Sequence, residues 1–225
     1  INPKSLRTIV DGTTIEVSKT SKTYENASWV WDNAQSKTVW GYEVTIIGIG
    51  FDDIFLPIHF ELGEMTKEDL HVQFIIIRMF TGSNILLFDG GYISFSFYEN
   101  LTKSNFRFYT KVSKSCIFNN GCNLSVKELQ KNIIFLKDNK FQTRKVFREG
   151  EIEYSLCFKK GDNRVLITND LRDNISELAF SEFLIRWDIE TCNDELKDNF
   201  CFEKLPIRNE KGIIGHILSS LMALN

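Results

Sequence analysis

The chain has 225 residues, 43% of them hydrophobic and 25% charged, with a formal net charge of −3 at pH 7. These are ordinary globular values, enough for one large domain or for one domain with an insertion. They exclude a disordered chain and a globally basic binder of nucleic acid or membranes, so any such surface must be local.

The first third reads as strands. "LRTIVDGTTIEV" is β-branched and half alternating, with Asp11 inside it. "WGYEVTIIGIGF" and "DIFLPIHFELGE" follow as two more strands with glycine-containing turn signals. The serine- and asparagine-rich stretch 18–38 predicts a long loop carrying Trp29 and Trp31, which, with Trp40, are expected to be packing residues. "TKEDLHVQFIIIRMF" predicts a well-buried helix with Thr66 as N-cap and Glu68 and Asp69 in its first turn. "NILLFDGG" is a short apolar strand ending at Asp89; a helix over about 94–103 and the strand "FRFYTKVS" come next.

From 112 to 171 the pattern changes. The short runs "NIIFL", "KVFRE", "EYSLCF" and "RVLIT" alternate with "NNG", "EG" and "KGDN" turns, predicting a meander of strands inserted into the α/β order. "NISELAFSEFLIRWDIETCNDELKDNF" then predicts one helix, and "KGIIGHILSSLMALN" a last one.

At 100° per residue, Phe183, Arg186, Glu190 and Lys197 fall within about 60° of arc on a continuous helix. Ile185, Ile189, Cys192, Leu196 and Phe200 form a separate apolar stripe facing the core. Arg186 and Glu190 can be an i,i+4 ion pair on a solvated face. Two aspartates elsewhere open a second reading. In a β-β-β-α-β sheet the first and fourth strands can lie side by side, so Asp11 and Asp89 can face one site, with Glu190 returning to it after the insertion. Three converging carboxylates suit Mg²⁺, a hard ion held by carboxylates, water and phosphate oxygens. Two such ions about 4 Å apart clamp the attacking and leaving oxygens of an in-line phosphoryl displacement. Arg186 and Lys197 then neutralise phosphate charge.

"VDGTTI", "LLFDGGY" and "FLIRWDIETCNDELK" resemble the three acidic motifs of DDE transposases of bacterial insertion sequences. The last resembles the YREK signature: Arg186, Glu190 and Lys197 keep its spacing, and Phe183 replaces its tyrosine. The resemblance runs over nearly the whole chain. It implies a ribonuclease H-like fold with Asp11, Asp89 and Glu190 as catalytic, metal-binding residues for two Mg²⁺ ions, Mn²⁺ being able to substitute. It also implies hydrolysis of DNA at transposon ends and transfer of the freed 3′-OH into target DNA. Tyr92 matches the tyrosine of the family's second motif, and Arg186 and Lys197 become contacts to transposon-end phosphates. DNA is the implied partner, with self-association in a paired-end complex. Where many relatives have an arginine after the second aspartate, this chain has Gly90, and its insertion has no tryptophan to stack on a flipped base. The chain begins ten residues before Asp11, so the N-terminal DNA-binding domain usual in relatives is expected to be missing.

"KDNKFQTRKVFR" sets Lys137, Lys140, Arg144, Lys145 and Arg148 against one acid, with two phenylalanines between. It reads either as a solvated strand pair or as a surface that tracks a DNA backbone. His59, His71 and His216 stand in no nucleophile motif, and "ILSSLMA" lacks the GxSxG elbow. Cys116, Cys122, Cys157, Cys192 and Cys201 form no CxxC pair, which favours reduced, cytosolic thiols over a disulfide frame or zinc site. No signal peptide opens the sequence, and its longest uncharged apolar run is too short to span a bilayer.

The expected architecture is α/β: a ribonuclease H-like mixed sheet flanked by helices, divided into a first core part (1–111), a β insertion (112–171) and C-terminal core helices (172–225). The expected function is that of a DDE transposase catalytic domain in the cytoplasm, with no membrane partner. The alternatives are a catalytically silent, transposase-derived DNA-binding protein and a ribonuclease H-like nuclease without transposition.

Overall fold

A computed structural model describes residues 6–19, 24, 26–32, 36–51, 54–63, 85–90, 94–119, 123–135, 140–147, 152–200 and 209–224. The chain forms two compact units, one from Ile1–Arg7 with Thr81–Arg186, the other from Thr8–Phe80 with Trp187–Asn225. The helix expected over 66–80 lies outside the described residues.

In the second of these units, β1 (Arg7–Glu16), β2 (Ser28–Asp32), β3 (Lys37–Phe51) and β4 (Ile54–Gly63) are joined through the long β3. β2 and β4 both pair with it antiparallel, at opposite ends, and its other neighbour in the unit is β1. Gly41 is required where β3 passes β1, because a Cβ there would collide with the carbonyl oxygen of Ile15. The long loop expected over 18–38 is interrupted by β2, whose Trp29 and Trp31 pair opposite Trp40 and Thr38. Strand alternation turns Val30 and Asp32 inward, leaving Trp29 and Trp31 about half exposed rather than in the core. Trp29 meets the edge of Trp40 at 5.7 Å and carries the Lys19 ammonium over its face. Among the described residues, two helices belong to this unit: α4 (Trp187–Phe200) and α5 (Glu210–Leu224) pack on β4 and on each other.

The other unit contains β5 (Ile85–Phe88), α1 (Phe95–Lys103), β6 (Arg107–Lys111), β7 (Ile117–Asn119), β8 (Asn123–Ser125), α2 (Val126–Lys131), β9 (Phe141–Phe147), β10 (Glu153–Lys159), β11 (Val165–Thr168) and α3 (Ile175–Ile185). The strand order is β5-β6-β11-β10-β9-β7-β8. β5 and β6 run parallel, with α1 as their crossover, and every later pairing is antiparallel. The expected class, a mixed α/β sheet with helices packed on its strands, is thus observed. The strands of 112–171 do not stand apart: β11 hydrogen-bonds directly to β6, continuing the same ladder.

Local chemistry explains two departures in this region. The described part of "NIIFL", residues 132–135, makes no strand; residues 133–135 are irregular and Ile134 is exposed. Before it stands α2, which the meander reading overlooked. Its signal is a capping box: Ser125 accepts from the Glu128 N–H while the Glu128 carboxylate takes the Ser125 N–H.

An aromatic cluster fills the space beneath α1. Tyr98 stacks on Phe108 at 4.8 Å, Phe88 meets Phe97, Tyr98 and Phe108, and Phe95 meets Phe118 and Tyr154. Such rings bury large apolar areas, and each favourable pair adds on the order of 1 kcal/mol. Further round the unit, α3 lies on β9 and β10. Its Glu182 accepts both Nε and Nη2 of Arg7, at 2.6 and 2.9 Å, a bidentate pair spanning 175 positions of sequence. Asp170, buried just past β11, accepts from Arg172 at 2.6–3.1 Å and from Tyr109, with Arg107 at 3.4 Å. Burial alone would raise its pKa; the Arg172 guanidinium and N–H, with the Arg107 charge, outweigh that and hold the carboxyl below its ordinary range.

Two outcomes are expected. The Tyr98 hydroxyl is buried with no hydrogen-bond partner among the described residues. Tyr98→Phe should therefore leave stability unchanged or raise it by up to about 1 kcal/mol in urea unfolding, and a clear loss would contradict the packing described. Asp170→Asn should cost about 1–3 kcal/mol, because the buried acceptor loses its charge-assisted hydrogen bonds from Arg172 and Tyr109. A depressed folded-state pKa gives stability that is complete above the ordinary carboxylate value, about 4, and drains as pH falls through the lower folded value. The acid limb of the wild-type stability profile should accordingly be steeper than that of Asp170→Asn.

Candidate active site

The geometry begins with the parallel pair. Phe88 lies opposite Thr110 in the ladder, and the Thr110 hydroxyl donates to the Phe88 carbonyl at 2.8 Å. Asp89 is the next residue, leaving β5 at the carboxyl edge shared with the end of β6 at Lys111. Parallel strands present ligand-binding groups at that edge. The backbone then passes so near β6 that a Cβ at Gly90 would lie 2.8 Å from the Lys111 carbonyl oxygen. A glycine there permits the turn and leaves no space for the arginine that many relatives carry.

Asp89 opens onto a cleft of about 390 Å³ lined also by Gly90, Lys111, Ser113, Lys114 and Arg164. Among the described residues its carboxylate makes no hydrogen bond or ion pair, and it is half-buried. Arg164 is committed to Asp162, to which Nε and Nη2 donate at 2.7–3.2 Å. Those hydrogen bonds hold the Asp162 carboxyl below its ordinary range. Lys111 and Lys114 are exposed cations on the wall of the cleft. The sequence reading missed both, because neither sits in a cluster; their signal was proximity to a strand end beside Asp89.

The remaining acids stand in the other unit. Asp11 lies within β1 and Glu190 within α4, each half-buried. Lys197 shares the Glu190 face of α4, seven residues on, while Ile189 and Leu196 are buried on its core side. The single helix expected through Glu190 is in fact two. α3 ends at Ile185, Arg186 makes the turn with its N–H directed to Phe183 at 3.3 Å, and α4 starts at Trp187. Arg186 keeps helical dihedrals (φ −58°, ψ −21°), so no proline or glycine announced the break. Within one helix the arc joins Glu190 and Lys197. Phe183 and Arg186 belong with α3, where both are buried and the guanidinium lies 5.2 Å from the Phe183 ring.

Within either unit, the described residues gather no three of His, Cys, Asp and Glu into a group able to hold a metal. The donor chemistry of the three expected acids is nonetheless right for a hard divalent ion. All are carboxylates, all half-buried, and Asp89 has lone pairs that no described residue occupies.

The basic stretch of β9 is not one surface. Alternation places Arg144 and Lys145 on opposite faces, and the Lys145 ammonium donates to the carbonyl of Leu171. Lys140 is exposed before the strand. Tyr92, Lys137 and Arg148 lie outside the described residues. Cys157 is buried, which pushes its thiol up to about 12 and makes it inert. No helix among the described residues is long and apolar enough to cross a membrane.

Two solved structures resemble the chain at a distance. One is the NurA nuclease from Sulfolobus solfataricus, at 11% identity and a TM-score of 0.44, covering 99% of this chain and 86% of that one. The other is Ciona intestinalis endonuclease V in complex with a 24mer DNA containing an inosine followed by a ribo-adenosine, at 10% identity and a TM-score of 0.38, covering 86% of each chain. Likenesses this remote say nothing of activity. No curated protein matches the sequence. The sequence does match the transposase DDE domain from residue 2 to residue 225. A match through nearly the entire chain places the protein in the transposase DDE domain family.

Proposed function

We propose that the chain is the catalytic core of a DDE transposase of the YREK-signature type, cutting DNA at transposon ends and joining the freed 3′-OH to target DNA. It would act in the cytoplasm on nucleoid DNA, as one of a pair of protomers. The observation that carries the reading is Asp89, a carboxylate with no partner among the described residues, at the edge of a parallel strand pair and facing a lysine-lined cleft.

In this reading Asp11, Asp89 and Glu190 would hold two Mg²⁺ ions, with Mn²⁺ able to replace them. The ions, when bound, supply charge neutralisation and alignment for an in-line phosphoryl displacement. The protein's own part is positioning. The Phe88–Thr110 latch and the bare backbone of Gly90 fix where the Asp89 oxygens stand. Lys111 and Lys114 offset phosphate charge at the cleft. Lys197, half-buried on the Glu190 face of α4, would contact a transposon-end phosphate. Arg186 is only 6% exposed and lies against Phe183. A contact to transposon-end phosphate would have to be made by this buried guanidinium.

The test is nicking of supercoiled plasmid in Mg²⁺ or Mn²⁺, followed by strand transfer from a pre-cut 3′-end. Removing a group that merely orients a metal ligand costs about 10–100-fold, so Asp89→Ala should lose more than about 100-fold in nicking at unchanged thermal stability. Wild type and Asp89→Ala equally silent, while both bind DNA, would mean a non-catalytic derivative. Nicking without joining of the pre-cut end would mean a nuclease that does not transpose.

A further inference from the structure

The cleft at Asp89 does not end at Lys114. A second hollow, of about 440 Å³, adjoins it through Lys114 and Asn163 and is lined further by Lys127, Gln130 and Lys131 of α2. We infer that the two hollows form one track for a DNA backbone, in which phosphates leaving Asp89 pass Lys111 and Lys114 and run on across Lys127 and Lys131. The inference rests on the nucleic-acid reading of the Asp89 site and assigns it a substrate path.

Charge along the track is one-sided. Lys111, Lys114, Lys127 and Lys131 are all exposed, and none forms an ion pair among the described residues. Of the nearby acids, Asp162 is paired with Arg164 through both carboxylate oxygens, while Glu128 keeps its charge and directs it to the Ser125 N–H and hydroxyl, so four lysines stand against one uncompensated acid on α2. Lys159, although at the rim, directs its ammonium toward the rings of Phe141 and Phe180. Lys127 and Lys131 stand four residues apart on one short helix, where like charges repel; an anion lying between them removes that penalty.

The lysines are also held in place. The Lys127 N–H donates to the Lys114 carbonyl at 3.0 Å and the Val126 N–H to Cys116 at 2.9 Å, stitching α2 to the corner after β6. Gln130 Nε2 reaches the Asp162 carbonyl at 3.4 Å, tying the helix to the β10–β11 turn. Val126 and Leu129 are buried beneath it. Four cations on a fixed frame, contiguous with Asp89, fit a polyanion of regular charge. The β9 stretch, with its cations divided between two faces, fits it less well.

The experiment is fluorescence anisotropy of a labelled 30-base-pair duplex in EDTA, from 50 to 200 mM KCl, with the full chain. Each phosphate contact contributes about 0.9 to the slope of log affinity against log salt. K114E/K127E/K131E should flatten that slope by about 2–3 and weaken binding at least about 10-fold at 100 mM. K114Q/K127Q/K131Q, measured with its melting temperature to verify folding, should show a smaller loss in the same direction. K140E/R144E/K145E should have the lesser effect. Wild-type affinity and slope in a folded K114E/K127E/K131E overturn the inference, as does a larger loss in K140E/R144E/K145E. If the track fails while Asp89→Ala still abolishes nicking, the catalytic reading stands alone. If the track variants lose DNA while Asp89→Ala nicks like wild type, the track stands and the catalytic reading falls.

Discussion

The four backbone steps over which β5 and β6 run parallel decide where Asp89 can stand. A parallel ladder puts the carboxyl ends of both strands at one edge, so the residue after Phe88 emerges beside Lys111. The Thr110 hydroxyl on the Phe88 carbonyl keeps those last residues in register, and Gly90 lets the chain turn away over the Lys111 carbonyl. A side chain at 90 would force the strand ends apart and carry Asp89 with them. The place of Asp89 thus depends on a backbone spacing that the glycine at 90 allows.

A pair this short cannot hold itself in water. It is clamped from both sides and from its far end. α1 lays Phe97, Tyr98 and Leu101 over it. β11 pairs with the open side of β6. At the edge opposite Asp89, Asn169 accepts the Phe108 N–H and donates to the Phe106 carbonyl and the Thr102 hydroxyl, joining the end of α1 to the start of β6. Asp170 follows at once with its two arginines and Tyr109. Polar residues bind the end opposite Asp89, and at the Asp89 end the carboxylate and Lys111 and Lys114 form no ion pair among the described residues.

Periodicity revealed most of the elements because their apolar residues recur at strand or helix spacing. "EYSLCF", "RVLIT" and the helix over 94–103 appear where the pattern put them. The failures are of other kinds. β2 was read as loop because serine and asparagine surround it, although Trp-Val-Trp alternates in strand fashion. α2 is too short for a period to develop and is announced only by Ser125 and Glu128. The break at Arg186 leaves no composition signal, since its dihedrals remain helical. Of the candidate site, the sequence displayed its acids. It hid the cations beside Asp89, because Lys114 meets Lys127 only through a folded corner and two backbone hydrogen bonds.

That last point alters the meaning of the chain's acidity. Thirty acidic residues against 27 lysines and arginines suggest a poor partner for DNA. Counter-ion release, however, depends on cations within reach of phosphates, and beyond about 8–10 Å charges are screened at physiological salt. What matters is how many acids on the binding face are already neutralised. Beside the cleft Asp162 is paired with Arg164, and across the same unit Glu182 is paired with Arg7 and Asp170 with Arg172. These pairs take negative charge out of the local field, while Lys111, Lys114, Lys127 and Lys131 keep theirs. A protein with a net negative charge can then present a positive channel that leads to a carboxylate without an ion-pair partner among the described residues.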